Sequence, residues 1–417
     1  MTVWRLKRGG DRRYRQGHPW IFASELSHSA REIKPGQVIE LRDAQNHFLG
    51  FGYGHPSSQI AFRRLSSRSQ DHDVLSESFF IERLRFARQL RVSAGWADVS
   101  HRWAYAEADG LPGLIVDAFL TPNQGWLLVA QASTAGMDSA MPEILAALSK
   151  FAMEFGDITI IEAPSSKSRA MEGLKVLPKR VQVGSARDLE NCTIVLRQGL
   201  TLQCDILNGQ KTGFFLDQQW NATLLRSLVL SHFKNFERPV RILDLCCYVG
   251  QWAAHSAHAL SGIGLTSEVT LFDASASALE RATLNLKTLA SSVKTVKGDV
   301  MTDLSRVTDQ YFDVVICDPP AFVKKRNDLA QGLKAYTKLL REATLKVAPG
   351  GLMVASSCSG LVKQEDWQSV MLEATQKAGR TFKQLVRGGH APDHPLRPEF
   401  PEGEYLKCVI GRIDYPF

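Results

Sequence analysis

Long apolar runs are missing from this chain. Its most apolar stretches, such as residues 126–130 and 314–317, are strand-length, far short of the about 18 apolar residues of a membrane-spanning helix. No apolar region follows the basic residues Arg5, Lys7, Arg8, Arg12 and Arg13, so they do not open a secretory signal and a cytoplasmic location is expected. Cysteine is scarce: seven residues, an odd number with no CxxC spacing. That excludes a disulfide framework and a zinc ribbon, and no metal is expected. Glycine (31) and proline (17) are too few for a collagenous or low-complexity chain, and 44% hydrophobic residues exclude disorder as the main state. A phosphate-cradling GxGxxG is absent as well.

What is present points to more than one core. At about 100–200 residues per domain the chain makes two to four. The net charge of +7 is unevenly spread: residues 1–70 hold 12 of the 50 Lys and Arg but 5 of the 43 Asp and Glu, so the whole excess sits there. A nucleic-acid-binding appendage has this asymmetry, and so does a solvated basic surface. The segment reads as short alternating strands at 36–42, 48–54 and 60–64 with glycine punctuation. A small β-barrel over 1–70 is expected, ending in a polar linker near 66–73. Residues 76–90 carry a helical apolar stripe. Strands at 104–108, 114–116, 126–130 and 158–162, with a helix at 141–151, make an α+β middle domain over 74–190.

After about residue 195 strands alternate with helices, at 240–245, 269–273, 295–297, 312–318 and 352–356, which means a doubly wound parallel α/β sheet. Strands at 382–386 and 405–411 follow with no long helix between them and are expected to pair antiparallel at one edge. Ligands of such sheets bind beyond the strands' carboxyl ends. Those ends are acidic: Asp244-Leu-Cys-Cys-Tyr-Val-Gly250 after the first, Asp273 on the second, Asp299 after the third, Asp318-Pro-Pro after the fourth. S-adenosylmethionine has a cationic sulfonium, an amino group and a ribose diol but no phosphate, and carboxylates suit it. Asp273 would accept from the ribose hydroxyls and Asp299 from the adenine amine, while Gly250 admits the methionine moiety. Each Asp taken alone is more often a helix cap.

The chain resembles a known family. Strand-end carboxylates are shared with class I methyltransferases, and Asn208-Gly-Gln-Lys-Thr-Gly-Phe-Phe-Leu-Asp-Gln-Gln-Trp220 resembles a segment of bacterial 23S rRNA cytosine-5 methyltransferases with an N-terminal PUA domain. His18-Pro-Trp-Ile-Phe22 resembles that family's PUA opening, Glu107-Ala-Asp-Gly-Leu-Pro-Gly-Leu-Ile-Val-Asp117 its middle domain, and Asp393-His-Pro with Phe400-Pro-Glu-Gly-Glu-Tyr-Leu-Lys407 its C-terminal signature. The resemblance implies a Rossmann-like class I methyltransferase domain over 195–417 and an RNA substrate, 23S rRNA. It also implies that Phe214, Phe215 and Asp217 line the cofactor and target pocket. Asp217 reads equally as the cap of the helix carrying Trp220. Tyr248 stands where class I enzymes commonly have glycine, and the family tends to an aromatic there. With Asp244, Asp318 and Pro319 these complete the expected cofactor set.

Cytosine C5 is a poor nucleophile, so its methylation needs a thiolate that adds at C6 first. Cys358, in Ser356-Ser-Cys-Ser-Gly360 just beyond the fifth strand, faces the ligand edge and resembles the family's SCS nucleophile motif. Cys192, Cys204, Cys246, Cys247, Cys317 and Cys408 read as packing residues, Cys247 being the one whose loop could expose it. By analogy, Asp318 contacts the N3 and N4 edge of the base and assists addition. Ala321, where amine-directed enzymes have an aromatic, argues against an exocyclic amine. The base that removes the C5 proton stays open among Asp318, Glu402, Glu404 and water. Expected phosphate contacts are Arg5, Lys7, Arg12, Arg13, Arg63, Arg64, Lys324-Lys-Arg326 and, more weakly, Ser165-Ser-Lys-Ser-Arg169. Trp20 and Phe22 read as stacking or barrel-core residues. Two alternatives remain: methylation of another RNA atom, and a non-catalytic ribosome-assembly factor. The oligomeric state, a homodimer included, is not legible.

Overall fold

Alternating short strands in the first 66 residues form a five-stranded sheet in the order Thr2–Arg5, Val38–Arg42, Phe48–Gly54, Ile60–Ser66, Trp20–Phe22. Ile21, Ile39, Leu41 and Phe62 fill its interior and are fully buried. Gly52 has no substitute there, because a Cβ would lie 2.1 Å from the Arg63 carbonyl oxygen. The computed structural model describes residues 2–28, 30–123, 125–165, 167–185, 188–308 and 311–416. It divides into two compact units, one of Met1–Leu196, Cys204–Leu216 and Pro392–Gly403, the other of Arg197–Gln203, Asp217–Ala391 and Glu404–Phe417.

The first unit adds a second five-stranded sheet, Arg180–Val183, Ile158–Glu162, Trp126–Ala132, Leu114–Leu120, His101–Tyr105. Helix Glu77–Ser93 is capped by Ser76, whose hydroxyl accepts from the Phe79 N–H at 3.3 Å, the N-cap role serine fills best. Phe51, Tyr53 and Leu65 of the first sheet share one buried cluster with Phe80, Trp103 and Ile144 of the second layer. The polar stretch 67–73 is mostly exposed, yet it connects parts of one interior. The strand expected at 104–108 ends at Tyr105, because Ala106 takes a left-handed φ of 43° and the chain turns into the short helix Ala106–Asp109.

The second unit is a doubly wound α/β domain. Along the chain come α1 (Gln219–Phe233), β1 (Val240–Leu245), α2 (Gln251–Ser261), β2 (Ser267–Asp273), α3 (Ala276–Leu286), β3 (Ser292–Lys297), β4 (Phe312–Cys317), α4 (Leu329–Lys346), β5 (Val347–Ser357), α5 (Gln364–Lys377), β6 (Thr381–Gly388) and β7 (Lys407–Asp414). The sheet order is β3-β2-β1-β4-β5-β7-β6. The first five strands are parallel. The antiparallel pair expected at the end is there, with β7 inserted between β5 and β6. All of β4 is buried, as a central parallel strand covered on both faces requires. Strand order reverses between β1 and β4, so the crevice for a ligand opens at their carboxyl ends.

Candidate active site

Asp244 is the innermost residue of this crevice. It is fully buried, and its Oδ2 accepts from the Ala253 N–H in the first turn of α2 at 3.1 Å. Its Oδ1 has no hydrogen-bond partner among the described residues. Burial pushes the carboxyl well above the usual carboxylate range, and the neighbouring Asp318 and Asp273 carboxylates push it further. The loop that follows is wound by left-handed residues at Cys246 (φ 60°), Tyr248 (φ 50°) and Gly250 (φ 80°). Such conformations cost non-glycine residues about 1–3 kcal/mol each and persist only where neighbours hold them. Here the Cys247 N–H donates to the Phe272 carbonyl at 3.1 Å and the Tyr248 N–H to Asp273 Oδ2 at 2.9 Å. At Gly250 a Cβ would stand 3.2 Å from that of Ala282.

Asp273, at the end of β2, is half-buried, and its Oδ1 accepts from the Ser275 N–H at 2.8 Å. Asp299, beyond β3, is exposed and accepts from the Met301 N–H at 2.8 Å. Asp318 follows β4, with both oxygens oriented: Oδ1 accepts from Gln218 Nε2 at 3.0 Å and Oδ2 from the Trp252 indole at 3.1 Å. Gln218 also donates to Ser356 Oγ at 2.8 Å and accepts from Asn221 Nδ2 at 2.8 Å. Pro319 behind it is buried. Sequence reasoning missed Gln218, Asn221, Trp252 and Ser356 as a group. Trp252 and Asn221 carry no motif, and only the tertiary fold turns them onto one carboxylate.

Cys358 is half-buried, one residue past β5. Parallel pairing of Cys317 with Ala355 brings the ends of β4 and β5, hence Asp318 and Cys358, to neighbouring positions. The fully buried Tyr336 of α4 ties the two loops. Ser357 Oγ donates to its hydroxyl at 3.0 Å, Ser359 Oγ shares a hydrogen bond with it at 2.8 Å, and the Phe322 N–H donates to it at 3.3 Å. The Val323 N–H reaches Ser359 Oγ at 3.2 Å. The other cysteines are not placed for chemistry. Cys317 and Cys408 are fully buried, and burial raises the thiols of Cys246, Cys247, Cys317 and Cys408 far above the ordinary value and that of Cys192 to about 11. In the cofactor loop Cys246, rather than Cys247, is the partly exposed one.

Asp217 is buried and does not cap α1, whose N-cap is Gln218 with no side-chain bond. Its Oδ2 instead accepts from the Tyr405 hydroxyl at 2.6 Å. Phe214 and Phe215 belong to the first unit, where Phe214 is buried and Phe215 is half-buried with the Lys211 ammonium 4.4 Å from its ring centroid. Several expected phosphate contacts are spent elsewhere. Arg63 is buried and pairs with Glu172 at 2.9 Å, Arg13 pairs with Glu402 at 3.1 Å, and Arg169 is buried against Asp138 at 2.7 Å. Ser166 lies outside the described residues. Arg64 is half-buried, its guanidinium over the Tyr14 ring. Arg5, Lys7, Arg12, Lys324, Lys325 and Arg326 are exposed. Ile21, not Trp20 or Phe22, fills the barrel; Trp20 is half-buried, its indole donating to Glu107 Oε1 at 2.9 Å and its ring edge-on to Phe400.

Three carboxylates converging without a phosphate cradle, one of them buried with an unpartnered oxygen, fit a ligand that brings positive charge and hydroxyls. Among the described residues no group of side chains could hold a metal, and no helix is long and apolar enough to cross a membrane. The fold is that of a class I S-adenosylmethionine-dependent methyltransferase. A methyltransferase small domain model matches residues 222–378 and a PUA-like domain model residues 5–67. A structure described as a SAM-dependent methyltransferase from Streptococcus mutans has the same fold, with TM-score 0.76 at 16% identity over 99% of this chain and 100% of that one. A ribosomal RNA large subunit methyltransferase I from Erwinia tasmaniensis is 30% identical over 98% of both chains. A ribosomal RNA large subunit methyltransferase from Deinococcus radiodurans is 29% identical over 98% of this chain and 97% of its own. The chain belongs to the ribosomal RNA large subunit methyltransferase I family.

Proposed function

We propose that this chain methylates C5 of a cytosine in large-subunit ribosomal RNA, with Cys358 as a transient covalent nucleophile. The observation that carries the reading is the Tyr336 hydroxyl tying the Cys358 turn to the loop after Asp318. The donor, S-adenosylmethionine, supplies an electrophilic methyl on a sulfonium. In this reading Asp273 takes the ribose hydroxyls and Asp299 the adenine amine. Asp244 and Asp217 supply negative charge toward the methionine end, Tyr248 and Gly250 shape the backbone beside it, and Pro319 is an apolar wall.

The Cys358 thiolate adds to C6 of the cytosine, and the displaced electron pair makes C5 nucleophilic. C5 takes the methyl while the C–S bond pair stays on the donor sulfur; a base among Asp318, Glu404 and water takes the C5 proton, and the pair from that C–H bond expels the thiolate. Asp318, held at both oxygens by Gln218 and Trp252, presents its carboxyl to the N3 and N4 edge and supports protonation at N3 during addition. Glu402 is engaged elsewhere, by Arg13 and His18 at 3.1 and 3.2 Å. A base in a duplex cannot reach the half-buried thiol, so the target is single-stranded or flipped out. The exposed Lys324, Lys325 and Arg326, just after the Asp318 loop, are suited to phosphate contacts.

Cys358→Ala is expected to keep donor binding in calorimetry and to lose 5-methylcytosine in mass spectrometry of digested RNA. An intact methylation rate in that variant excludes the covalent route. A methyl on uracil C5 or on an amine overturns the target, and absence of donor binding by the unaltered protein favours a non-catalytic role.

A further inference from the structure

Lys407 is a buried cation that the steps above do not use. It opens β7, is 3% exposed, and faces Ser357 across the antiparallel ladder with β5. Its side chain crosses the turn that bears Cys358. Nζ donates to the Ser359 carbonyl at 2.6 Å and to the Tyr405 carbonyl at 2.8 Å. Thus the backbone of Lys407 is fixed opposite the residue before Cys358, and its ammonium is fixed to the residue after it. Among the described residues no carboxylate lies within ion-pair distance of Nζ. Two carbonyls satisfy N–H groups but do not neutralise a charge, and a buried cation without a counter-ion is costly.

We propose that Lys407 is a positioning residue for the nucleophile, its ammonium clamped beside Cys358 so that the sulfur rests as a thiolate. This rests on Cys358 being the nucleophile of the proposed reaction. The groups whose charge reaches Lys407 are Cys358, foremost among the attractive ones, then Glu404 and Asp366; burial opposes them and brings the lysine down to about 8. Tyr336 faces the same turn through Ser357 and Ser359, and burial keeps its phenol protonated. A cation beside a cysteine is the usual means of lowering its pKa, and each unit of lowering gives about tenfold more thiolate at a pH below the midpoint.

The test reads the thiol without turnover. Alkylation of Cys358 by iodoacetamide is followed against pH by peptide mass spectrometry, in the absence of donor and RNA, for the unaltered protein, Lys407→Arg and Lys407→Met. The unaltered protein is expected to show a midpoint at least one unit below the ordinary cysteine value of about 8.5. Lys407→Met is expected to raise it by one unit or more, and Lys407→Arg by less. A midpoint unchanged in folded Lys407→Met, with only the melting temperature lowered, makes the lysine a structural strut and overturns the proposal. Should Lys407→Met not fold, a midpoint of about 8.5 or higher in the unaltered protein overturns it equally. If the midpoint shifts as expected while Cys358→Ala still methylates RNA, the pairing stands and the covalent reaction falls.

Discussion

Buried arginines of the first unit and the buried charges at the crevice of the second are handled in opposite ways. In the first, Arg91 of helix Glu77–Ser93 reaches Asp109 at 2.6 and 2.8 Å, and Arg102 of the second sheet reaches Asp117 at 2.8 and 3.0 Å, both bidentate. In the second, Asp244 is buried with no cation among the described residues, and Lys407 is buried with no carboxylate. A paired buried charge holds a fold in one register, whereas one without such a pair calls for another charge, a cationic ligand at Asp244 and the Cys358 thiolate at Lys407. The contrast marks where ligand and chemistry belong.

The contrast breaks first on stability. Arg102→Ala leaves Asp117 buried without its cation, and is expected to cost about 3–5 kcal/mol in denaturant unfolding of the first unit. Asp244→Asn removes the same kind of charge with the opposite result. The raised carboxyl pKa means that, above the ordinary carboxylate range, the charged form opposes folding, and this opposition grows as pH rises toward the raised value. The melting temperature is therefore expected not to fall at neutral pH, while affinity for S-adenosylmethionine in calorimetry falls at least about tenfold, or ~1.4 kcal/mol. A drop of several degrees with unchanged affinity would place Asp244 among the structural charges.

Titration sharpens the same point. A cationic ligand favours ionised Asp244, whose carboxyl burial holds well above the usual range, so binding releases a proton and strengthens as pH rises toward that raised value. Asp244→Asn is expected to flatten that dependence, and equal slopes in both proteins count against it. Tyr336→Phe deletes the hydroxyl that joins the two loops, at a cost of about 1–2 kcal/mol. It is expected to slow methylation while donor affinity holds, and a loss of donor affinity instead would separate Tyr336 from the target side. The smallest effect is at the surface: Lys324→Ala is expected to lower the slope of log affinity for RNA against log salt by about 1 or less, without changing donor binding.

Much of this was legible because it is local. Alternation along 48–54, the apolar stripe of 76–90 and the acidic residue at each parallel strand end are written in neighbouring residues, and the structure has Phe48–Gly54, the helix from Glu77 and the Asp244, Asp273 and Asp318 ends. Arg63 misled because charge count carries no sign of Glu172, which is 109 residues away and takes it into the interior. Asp217 misled likewise: its partner Tyr405 lies 188 residues on, and a helix cap was the nearer explanation.

Residue order alone determined the two alternations, period two and strand-helix, hence the all-β start, the doubly wound sheet and the edge at which its acids and Cys358 gather, since strand periodicity and turn chemistry act over a few residues. Only tertiary structure decided which charges are neutralised. The pairing of β7 with β5 sets Lys407 across the turn of Cys358, and the packing of α1 and α2 turns Gln218 and Trp252 onto Asp318. Electrostatic partnership depends on distance through space and on burial, and neither is a property of sequence separation.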